Sequence, residues 1–309
     1  MRSILLVFSI LLSPFSFGLN LDLGSSDPDC LLAFQMSPAF TPDDAVNPGR
    51  LREDLRYRYL VGDLNTAARA ADGSLHCRGV TEQNPDLALL TELTDPAVRA
   101  NFEAQVGRYI EGPYQKSPIT KHNGKRYCIG QTLNACVLVK SSWGKWSARL
   151  VARFLTSSKN PPNGVNGLPR DTANPNRAAY SPLNYIASKS WDRRPYTPED
   201  AARDTLLGGG RSSIAEWTSP KSGNKLEMPN YLYFRGQGFE YEEGNGLHEK
   251  MGAEGSELLN FIGAPVSLGC VRLNRFASKF LRWFAPRGAR FFTRLDAELY
   301  WRSPPPPPK

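Results

Sequence analysis

The sequence predicts an α+β protein in which a small α-helical N-terminal domain precedes a mostly β C-terminal domain. Apolar residues follow helical spacing up to about Gly112, and from about Arg126 short apolar runs alternate with turn residues. The 309 residues can bury one large core or two modest ones. A signal peptide, the helical domain, the β-rich domain and a proline-rich tail are predicted at 1–18, 19–125, 126–302 and 303–309.

The first element is an export signal. The stretch from Ile4 to Leu12 is almost wholly apolar, and small residues around Gly18 suit a signal peptidase. This stretch is shorter than the about 20 residues that a transmembrane helix needs. The sequence therefore predicts an exported protein of the periplasm or cell envelope, with no stable membrane insertion after signal removal. The alternative is an uncleaved N-terminal anchor.

Two helices are predicted in the N-terminal domain. Pro96 suits the first position of a helix capped by Asp95 or Thr94 and ending near Gly112. Its apolar residues at helical spacing are Val98, Phe102, Val106 and Tyr109. A second helix is predicted from Leu51 to Ala71.

The C-terminal domain is predicted to be built from short strands. Asn274 can cap a helix from Arg275 to Ala285. The strand candidates are Cys136–Lys140, Lys145–Thr156, Tyr231–Phe234, Gly246–His248 and Ala289–Leu295, with a turn at Ser141–Gly144. The segment 157–229 is dense in Pro, Gly, Asn and Ser, which predicts a long loop insertion of the kind that forms lids and binding loops.

The formal charge of +8 indicates affinity for acidic polymers or membranes, although a generic basic surface is equally consistent. Nucleic acid is not a predicted partner, because the chain has no aromatic RNA-binding signature and no dense basic run. No zinc-ligand pattern is found either, and no metal or organic cofactor is expected.

The chain has five cysteines, and in an oxidising compartment four of them can pair and leave one thiol. Cys128 and Cys136 are close enough in sequence to form a disulfide that closes a short loop. Cys30 would then pair with Cys77. The alternative is five reduced, buried cysteines. Under the first interpretation Cys270 is the remaining thiol.

Cys270 lies between Gly269 and Arg272, 22 residues after His248. A thiolate attacks carbonyl carbons, and a neighbouring histidine can take its proton and store the pair as thiolate and imidazolium. Backbone N–H groups near Gly269 could stabilise an oxyanion, and Arg272 could hold a carboxylate through two hydrogen bonds. Together these groups indicate acyl transfer through a thioester.

The stretch from Gly246 to Leu273 resembles the catalytic domain of the L,D-transpeptidase family (YkuD type), whose signature is a histidine, a spacer and Ser-His-Gly-Cys-x-Arg or Asn. The resemblance implies a YkuD-like β-sandwich over 126–302, with Cys270 as nucleophile and His248 as general base. Ser267 and Gly269 would form the turn and oxyanion site. The implied substrate-binding residues are Arg272, Leu268 and Tyr233.

Family members transfer the acyl group of a peptidoglycan stem tetrapeptide to the cysteine and expel the terminal D-alanine. An amine then resolves the thioester, and the implied partner is therefore the peptidoglycan stem peptide. Two departures affect the expected reaction: Leu268 replaces the second histidine of the signature, and Glu249 stands where glycine or serine is usual. Both could change acceptor choice or favour hydrolysis.

Three alternatives to transpeptidation follow. The same cysteine could serve an L,D-carboxypeptidase or a peptidoglycan–protein amidase. A non-catalytic cell-wall-binding module would use the segment 157–229 and the basic surface. Another type of cysteine peptidase is disfavoured, since papain-like enzymes place cysteine before histidine and this chain has the reverse order.

Overall fold

The computed structural model describes residues 20–36, 58–64, 68–69, 75–76, 80–107, 119–122, 125–158, 183–188, 214–218, 225–236, 246–249, 262–264, 267, 270–285 and 289–294. The predicted signal peptide and proline-rich tail lie outside these residues. The described part is mostly β, with mixed sheets and few helices. No described helix is long and apolar enough to span a bilayer.

The helices are α1 (Pro28–Met36), α2 (Pro96–Val106) and α3 (Arg275–Phe284). The strands are β1 (Arg58–Asp63), β2 (Ala68–Arg69), β3 (Leu75–His76), β4 (Ile119–His122), β5 (Lys125–Cys128), β6 (Thr132–Lys140), β7 (Trp146–Leu155), β8 (Leu183–Ser188), β9 (Ile214–Thr218), β10 (Lys225–Pro229), β11 (Leu232–Gly236), β12 (Gly246–Glu249), β13 (Val271–Leu273) and β14 (Arg290–Arg294).

Eight strands form one mixed sheet in the order β13-β12-β11-β8-β14-β1-β6-β7. The pairs β1–β14 and β12–β13 are parallel, and the other neighbours are antiparallel. The chain that leaves β7 returns to the opposite edge, where Ser157 and Arg272 exchange backbone hydrogen bonds of 3.0 and 2.8 Å. This bridge links the two edges of the sheet and covers part of the exposed edge of β13.

Helices cover both faces of the sheet. On one face α2 and α3 pack through aromatic rings, and the centroids of Phe102 and Trp283 lie 4.7 Å apart. On the other face α1 packs against alternate residues of β1, β6 and β7 and is joined to β6 by the disulfide Cys30–Cys136. Because β1 is buried on both faces, all six of its residues are buried.

Local predictions near the helices are confirmed at α2 and α3. The Asp95 carboxylate accepts hydrogen bonds from two N–H groups of the first turn of α2, with Pro96 directly after it. The helix ends at Val106, six residues before the predicted stop at Gly112, because Gly107 adopts φ 88°. Asn274 caps α3 by accepting a hydrogen bond from the N–H of Ala277 at 2.7 Å.

Every predicted strand in the C-terminal half is confirmed, with small shifts in its bounds, and so is the turn at Ser141–Gly144. The described residues of the segment 157–229 include three strands: β8 lies inside the main sheet, and β9 pairs with β10 in an antiparallel arrangement. The predicted loop insertion is therefore wrong over these strands: β8 pairs on both sides, with β11 and β14.

The second predicted N-terminal helix and the predicted disulfide pairings are wrong. The helix predicted from Leu51 to Ala71 is replaced by β1 and β2 within the described part of that range, because β1 pairs with β6 and β14. A separate helical N-terminal domain is not confirmed, since β1 belongs to the main sheet. The disulfide Cys30–Cys136 excludes both predicted pairings, Cys128–Cys136 and Cys30–Cys77.

Candidate active site

The motif residues meet on three adjacent strands at one edge of the main sheet. Register places Tyr233 of β11 opposite Gly246 of β12, and Leu247 opposite Val271 of β13, which brings Cys270 beside Gly246. One step along, His248 lies opposite Arg272. Because side chains alternate between faces, these residues share one face of the sheet, whereas Leu247 and Val271 enter the core on the other.

Gly246 leaves room that the phenol of Tyr231 fills. A Cβ at position 246 would lie 2.2 Å from Cζ of Tyr231 and 2.6 Å from its hydroxyl oxygen. From this position the hydroxyl hydrogen-bonds the Cys270 sulfur, and the backbone N–H of Gly246 donates to the same sulfur. Two donors therefore converge on the thiol, one from β12 and one from the residue preceding β11.

The tautomer of His248 is fixed by a backbone oxygen. Nδ1 lies 2.6 Å from the carbonyl oxygen of Glu249, and a carbonyl can only accept, so Nδ1 carries the proton. Nε2 then holds a lone pair and can act as a base. The ring is buried and stacks on Tyr231, with centroids 5.8 Å apart and planes inclined by 17°.

His248 is buried and Cys270 is half-buried, and loss of solvent favours the neutral form of each group. Desolvation lowers the pKa of His248 to about 4, and the positive charge of Arg272 adds to this effect, although the hydrogen bond to Glu249 opposes it. Burial raises the pKa of the Cys270 thiol, against the opposing influences of the Gly246 N–H, Arg272 and Tyr231. These shifts favour a neutral thiol and a neutral imidazole over the predicted thiolate–imidazolium pair in the resting site.

A polar cluster behind β12 holds the acceptor of the His248 hydrogen bond. Asn230 adopts φ 55°, a left-handed conformation that asparagine tolerates better than most residues. Its Nδ2 donates to a carboxylate oxygen of Glu249 at 3.1 Å and to Oγ of Ser278, on α3, at 3.2 Å. The side chain of Glu249 is thereby tied to α3, which restrains the residue whose carbonyl orients His248.

Arg272 is held at the edge of the sheet. Its carbonyl accepts hydrogen bonds from the N–H of Ser157 at 3.0 Å and from Oγ1 of Thr156 at 2.9 Å. Its guanidinium is close enough to influence the pKa values of both His248 and Cys270. The half-buried Arg272 side chain is thus a fixed positive charge beside the thiol and the imidazole.

The structure brings four of the predicted site residues together, namely Cys270, His248, Arg272 and Tyr233. Ser267 is buried and donates its backbone N–H to the carbonyl of Ser158 at 2.9 Å, which ties the turn before the cysteine to the end of β7. Leu268 and Gly269 lie outside the described residues. Among the described residues, no group of three His, Cys, Asp or Glu side chains is placed to hold a metal ion.

Sequence reasoning missed Tyr231 and Gly246. The signal for Tyr231 was present, because it lies two residues before Tyr233 in a predicted strand and therefore shares its face. A glycine two residues before the histidine was equally visible. Its effect on Tyr231 depends on the pairing of β11 with β12, which no local pattern specifies.

Comparison with known proteins finds distant structural neighbours but no match by sequence. No protein-family model matches the sequence, and no curated protein matches it. An L,D-transpeptidase from Mycobacterium smegmatis aligns at 9% identity over 59% of this chain and 80% of its own, with a TM-score of 0.28. An L,D-transpeptidase from Mycobacterium tuberculosis H37Rv aligns at 13% identity over 82% of this chain and 99% of its own, with a TM-score of 0.28.

L,D-transpeptidase 3 from Mycobacterium tuberculosis, in complex with a faropenem-derived adduct, aligns at 13% identity over 82% of this chain and 100% of its own, with a TM-score of 0.29. TM-scores this low do not establish a common fold.

Proposed function

We propose that this protein is a peptidoglycan L,D-transpeptidase that acts through a thioester on Cys270. The observation that carries the proposal is the hydrogen bond from Nδ1 of His248 to the Glu249 carbonyl, which leaves Nε2 as a base on the face that carries the thiol. The resemblance of the stretch from Gly246 to Leu273 to the family signature supplies the substrate class. An exported or envelope location belongs to the same proposal.

Acylation begins with a neutral pair. Nε2 of His248 takes the thiol proton as the sulfur of Cys270 attacks the carbonyl carbon of the third residue of a stem tetrapeptide. A carbon–sulfur bond forms, and the carbon–nitrogen bond to the terminal D-alanine breaks. The imidazolium returns the proton to the departing amine, so the imidazole is neutral again when the thioester is complete.

Resolution reverses these roles. The amine of a second stem attacks the thioester carbonyl and gives a proton to His248, while the sulfur of Cys270 leaves as a thiolate and is then reprotonated. If water attacks instead, the product is a trimmed stem and the enzyme acts as a carboxypeptidase. Both outcomes use the same acyl-enzyme.

Tyr231 and Gly246 stabilise the sulfur during both steps. Burial and the nearby Cys270 raise the pKa of Tyr231 well above its ordinary value, so its hydroxyl stays protonated and remains a donor. The Gly246 N–H is a second donor at the same atom. Hydrogen bonds to an anion are about twice as strong as those between neutral groups, which favours the thiolate that forms and leaves in the reaction. Arg272 lies beside this site and could hold a stem carboxylate.

The product spectrum of purified disaccharide-tetrapeptides tests the proposal. Wild-type protein is expected to give a crosslinked dimer that has lost one D-alanine, together with a thioester adduct on the protein that mass spectrometry detects. Cys270→Ser keeps the size of the side chain and is expected to lose both. Arg99→Gln, at an exposed position of α2, is the control and should retain both.

Three results would contradict the proposal. Trimmed monomers without dimers would assign a hydrolase. An unchanged product spectrum with Cys270→Ser would exclude this cysteine as the nucleophile. Folded wild-type protein that binds cell-wall polymer but leaves every muropeptide unchanged would assign a binding module.

A further inference from the structure

The exposed large hydrophobic side chains of the described residues all lie at one end of the molecule. Trp143 is 89% exposed at the turn between β6 and β7, and Val139 is 38% exposed at the end of β6. Leu23 is 54% exposed in a short 3₁₀ turn that packs beside β7. Single exposed apolar residues are ordinary, but their confinement to one end marks an interaction surface.

The turn that carries Trp143 is held in one conformation. The N–H of Gly144 donates to the carbonyl of Ser141 at 3.0 Å, and Gly144 adopts φ 76°. The N–H of Ser141 donates to the carbonyl of Lys145 at 2.7 Å, and the N–H of Lys145 donates to Oγ of Ser141 at 3.2 Å. A large aromatic side chain held on a rigid turn loses little conformational freedom when it binds.

Lysines flank the apolar residues. Lys140 and Lys145 are exposed on either side of the turn, and Nζ of Lys140 lies 5.3 Å from the ring centroid of Trp146. On the adjoining chain, the carboxylate of Asp22 accepts a hydrogen bond from the N–H of Gly24. Tryptophan beside lysine suits the boundary between water and an anionic lipid surface, where the ring enters the headgroup layer and the ammonium groups meet phosphates.

The polypeptide enters the fold at this same end. The N–H of Trp146 donates to the carbonyl of Asn20 at 2.8 Å, and the N–H of Asp22 donates to the carbonyl of Trp146 at 2.7 Å. Seven residues separate Asn20 from the apolar stretch that ends at Leu12. Such a connection spans at most about 25 Å, so this end of the fold lies near the bilayer during export, before the predicted signal peptide is removed.

We propose that the end defined by Leu23, Val139, Lys140, Trp143 and Lys145 is a docking tip for the surface of an anionic phospholipid bilayer. The exposed Lys140 and Lys145 beside Trp143 favour a surface that carries lipid phosphates over a glycan strand, whose sugars carry no phosphate. A second copy of the chain is disfavoured, because a two-fold interface at this tip would place its lysines together.

Vesicle binding by the purified protein tests the docking tip without any substrate, so its outcome is independent of the proposed function. Vesicles of phosphatidylcholine alone are compared with vesicles that also contain phosphatidylglycerol. Binding to the anionic vesicles is expected and should weaken at high salt. The double variant Lys140→Gln and Lys145→Gln should bind about 25-fold more weakly, about fivefold for each lysine. Trp143→Ala should bind at least about tenfold more weakly.

Brominated lipid acyl chains should quench wild-type tryptophan fluorescence, and Trp143→Ala should remove most of that quenching. Arg99→Gln, far from the tip in sequence and exposed on α2, is the charge control and should bind like the wild type. Thermal unfolding verifies that each variant is folded.

Equal vesicle binding by wild type, Trp143→Ala and the double lysine variant would overturn the docking tip. The proposal would also be overturned if the protein sedimented with purified peptidoglycan, lost this binding in Trp143→Ala, and did not bind vesicles. That result would assign the tip to a glycan. A concentration-dependent dimer that Trp143→Ala abolishes, again without vesicle binding, would assign it to a second copy.

Discussion

Replacing Gly246 by alanine should displace the tyrosine that contacts the thiol. The added Cβ would lie 2.2 Å from Cζ, 2.6 Å from the hydroxyl oxygen and 2.7 Å from Cε1 of Tyr231. The ring cannot move aside easily, because it is fully buried, stacks on His248 and belongs to a residue whose carbonyl accepts a hydrogen bond from Arg282 at 3.2 Å. The substitution therefore forces either the backbone of β12 or the phenol out of place.

The expected cost has two parts. Overpacking a well-filled interior costs about 1–3 kcal/mol. Displacement of the phenol also removes its hydrogen bond to the Cys270 sulfur, which is worth about 0.5–1.5 kcal/mol. The free energy of unfolding should therefore fall by about 2–4 kcal/mol, and the pKa of Cys270 should rise further because a donor to the thiolate is lost.

Urea unfolding of Gly246→Ala measures the first effect, and the pH dependence of thiol alkylation measures the second. Gly24→Ala is the matched control, since a Cβ there would meet its nearest neighbour, Oδ1 of Asp22, at an ordinary 3.6 Å. In a Tyr231→Ala background Gly246→Ala should cost little, because the clashing ring is absent. Wild-type stability in Gly246→Ala, or a cost that persists in the Tyr231→Ala background, would refute this account of the site.

Three further predictions concern protons and the disulfide. The pKa of His248 is about 4 in the folded protein and about 6.5 in the unfolded chain, so the free energy of unfolding is highest above pH 6.5 and decreases as the pH falls toward 4. The decrease is about 2 kcal/mol at pH 5. Urea midpoints measured at several pH values should show that His248→Gln removes this pH dependence. Iodoacetamide should alkylate Cys270 slowly at pH 7 and faster above pH 9, and Tyr231→Phe should shift that profile to still higher pH. Replacing Cys30 and Cys136 by alanine removes a disulfide between residues that are 106 positions apart in the sequence. The free energy of unfolding should fall by about 2–5 kcal/mol, and the alkylation rate of Cys270 should not change.

The strands of the C-terminal half were predictable because their apolar runs are bounded by turn residues. The β6–β7 hairpin is the clearest case, with Gly144 in the left-handed conformation that its turn requires. The region of β1 was misassigned because a short strand buried on both faces has the same apolar character as a buried helix. The disulfide was misassigned for a related reason: Cys30 and Cys136 meet through the packing of α1 on the sheet, and sequence proximity carries no information about that contact.

Much of the candidate site was also predictable, since Cys270, His248 and Arg272 stand in a recognisable string. The protonation states were not. A histidine near a cysteine predicts an ion pair as readily as a neutral pair, and burial decides between them. The degree of burial depends on Tyr231, which stacks on the imidazole and hydrogen-bonds the sulfur, and therefore on the pairing of β11 with β12.

A neutral resting pair has a consequence for the proposed reaction. Because burial lowers the pKa of the imidazole to about 4 and raises the pKa of the thiol, transfer of the proton from Cys270 to His248 before attack is unfavourable. The proton must therefore move as the carbon–sulfur bond forms, when the sulfur no longer has to hold a full negative charge.

The resting thiol is correspondingly protected, because alkylating and oxidising agents react with the thiolate. In the second step the sulfur must leave as an anion, and the two donors already in place, the Tyr231 hydroxyl and the Gly246 N–H, stabilise that anion without rearrangement. The same geometry thus keeps Cys270 unreactive at rest and makes its sulfur a competent leaving group. Tyr231→Phe should therefore reduce the rate of product release from the thioester more than it reduces the rate of stem binding.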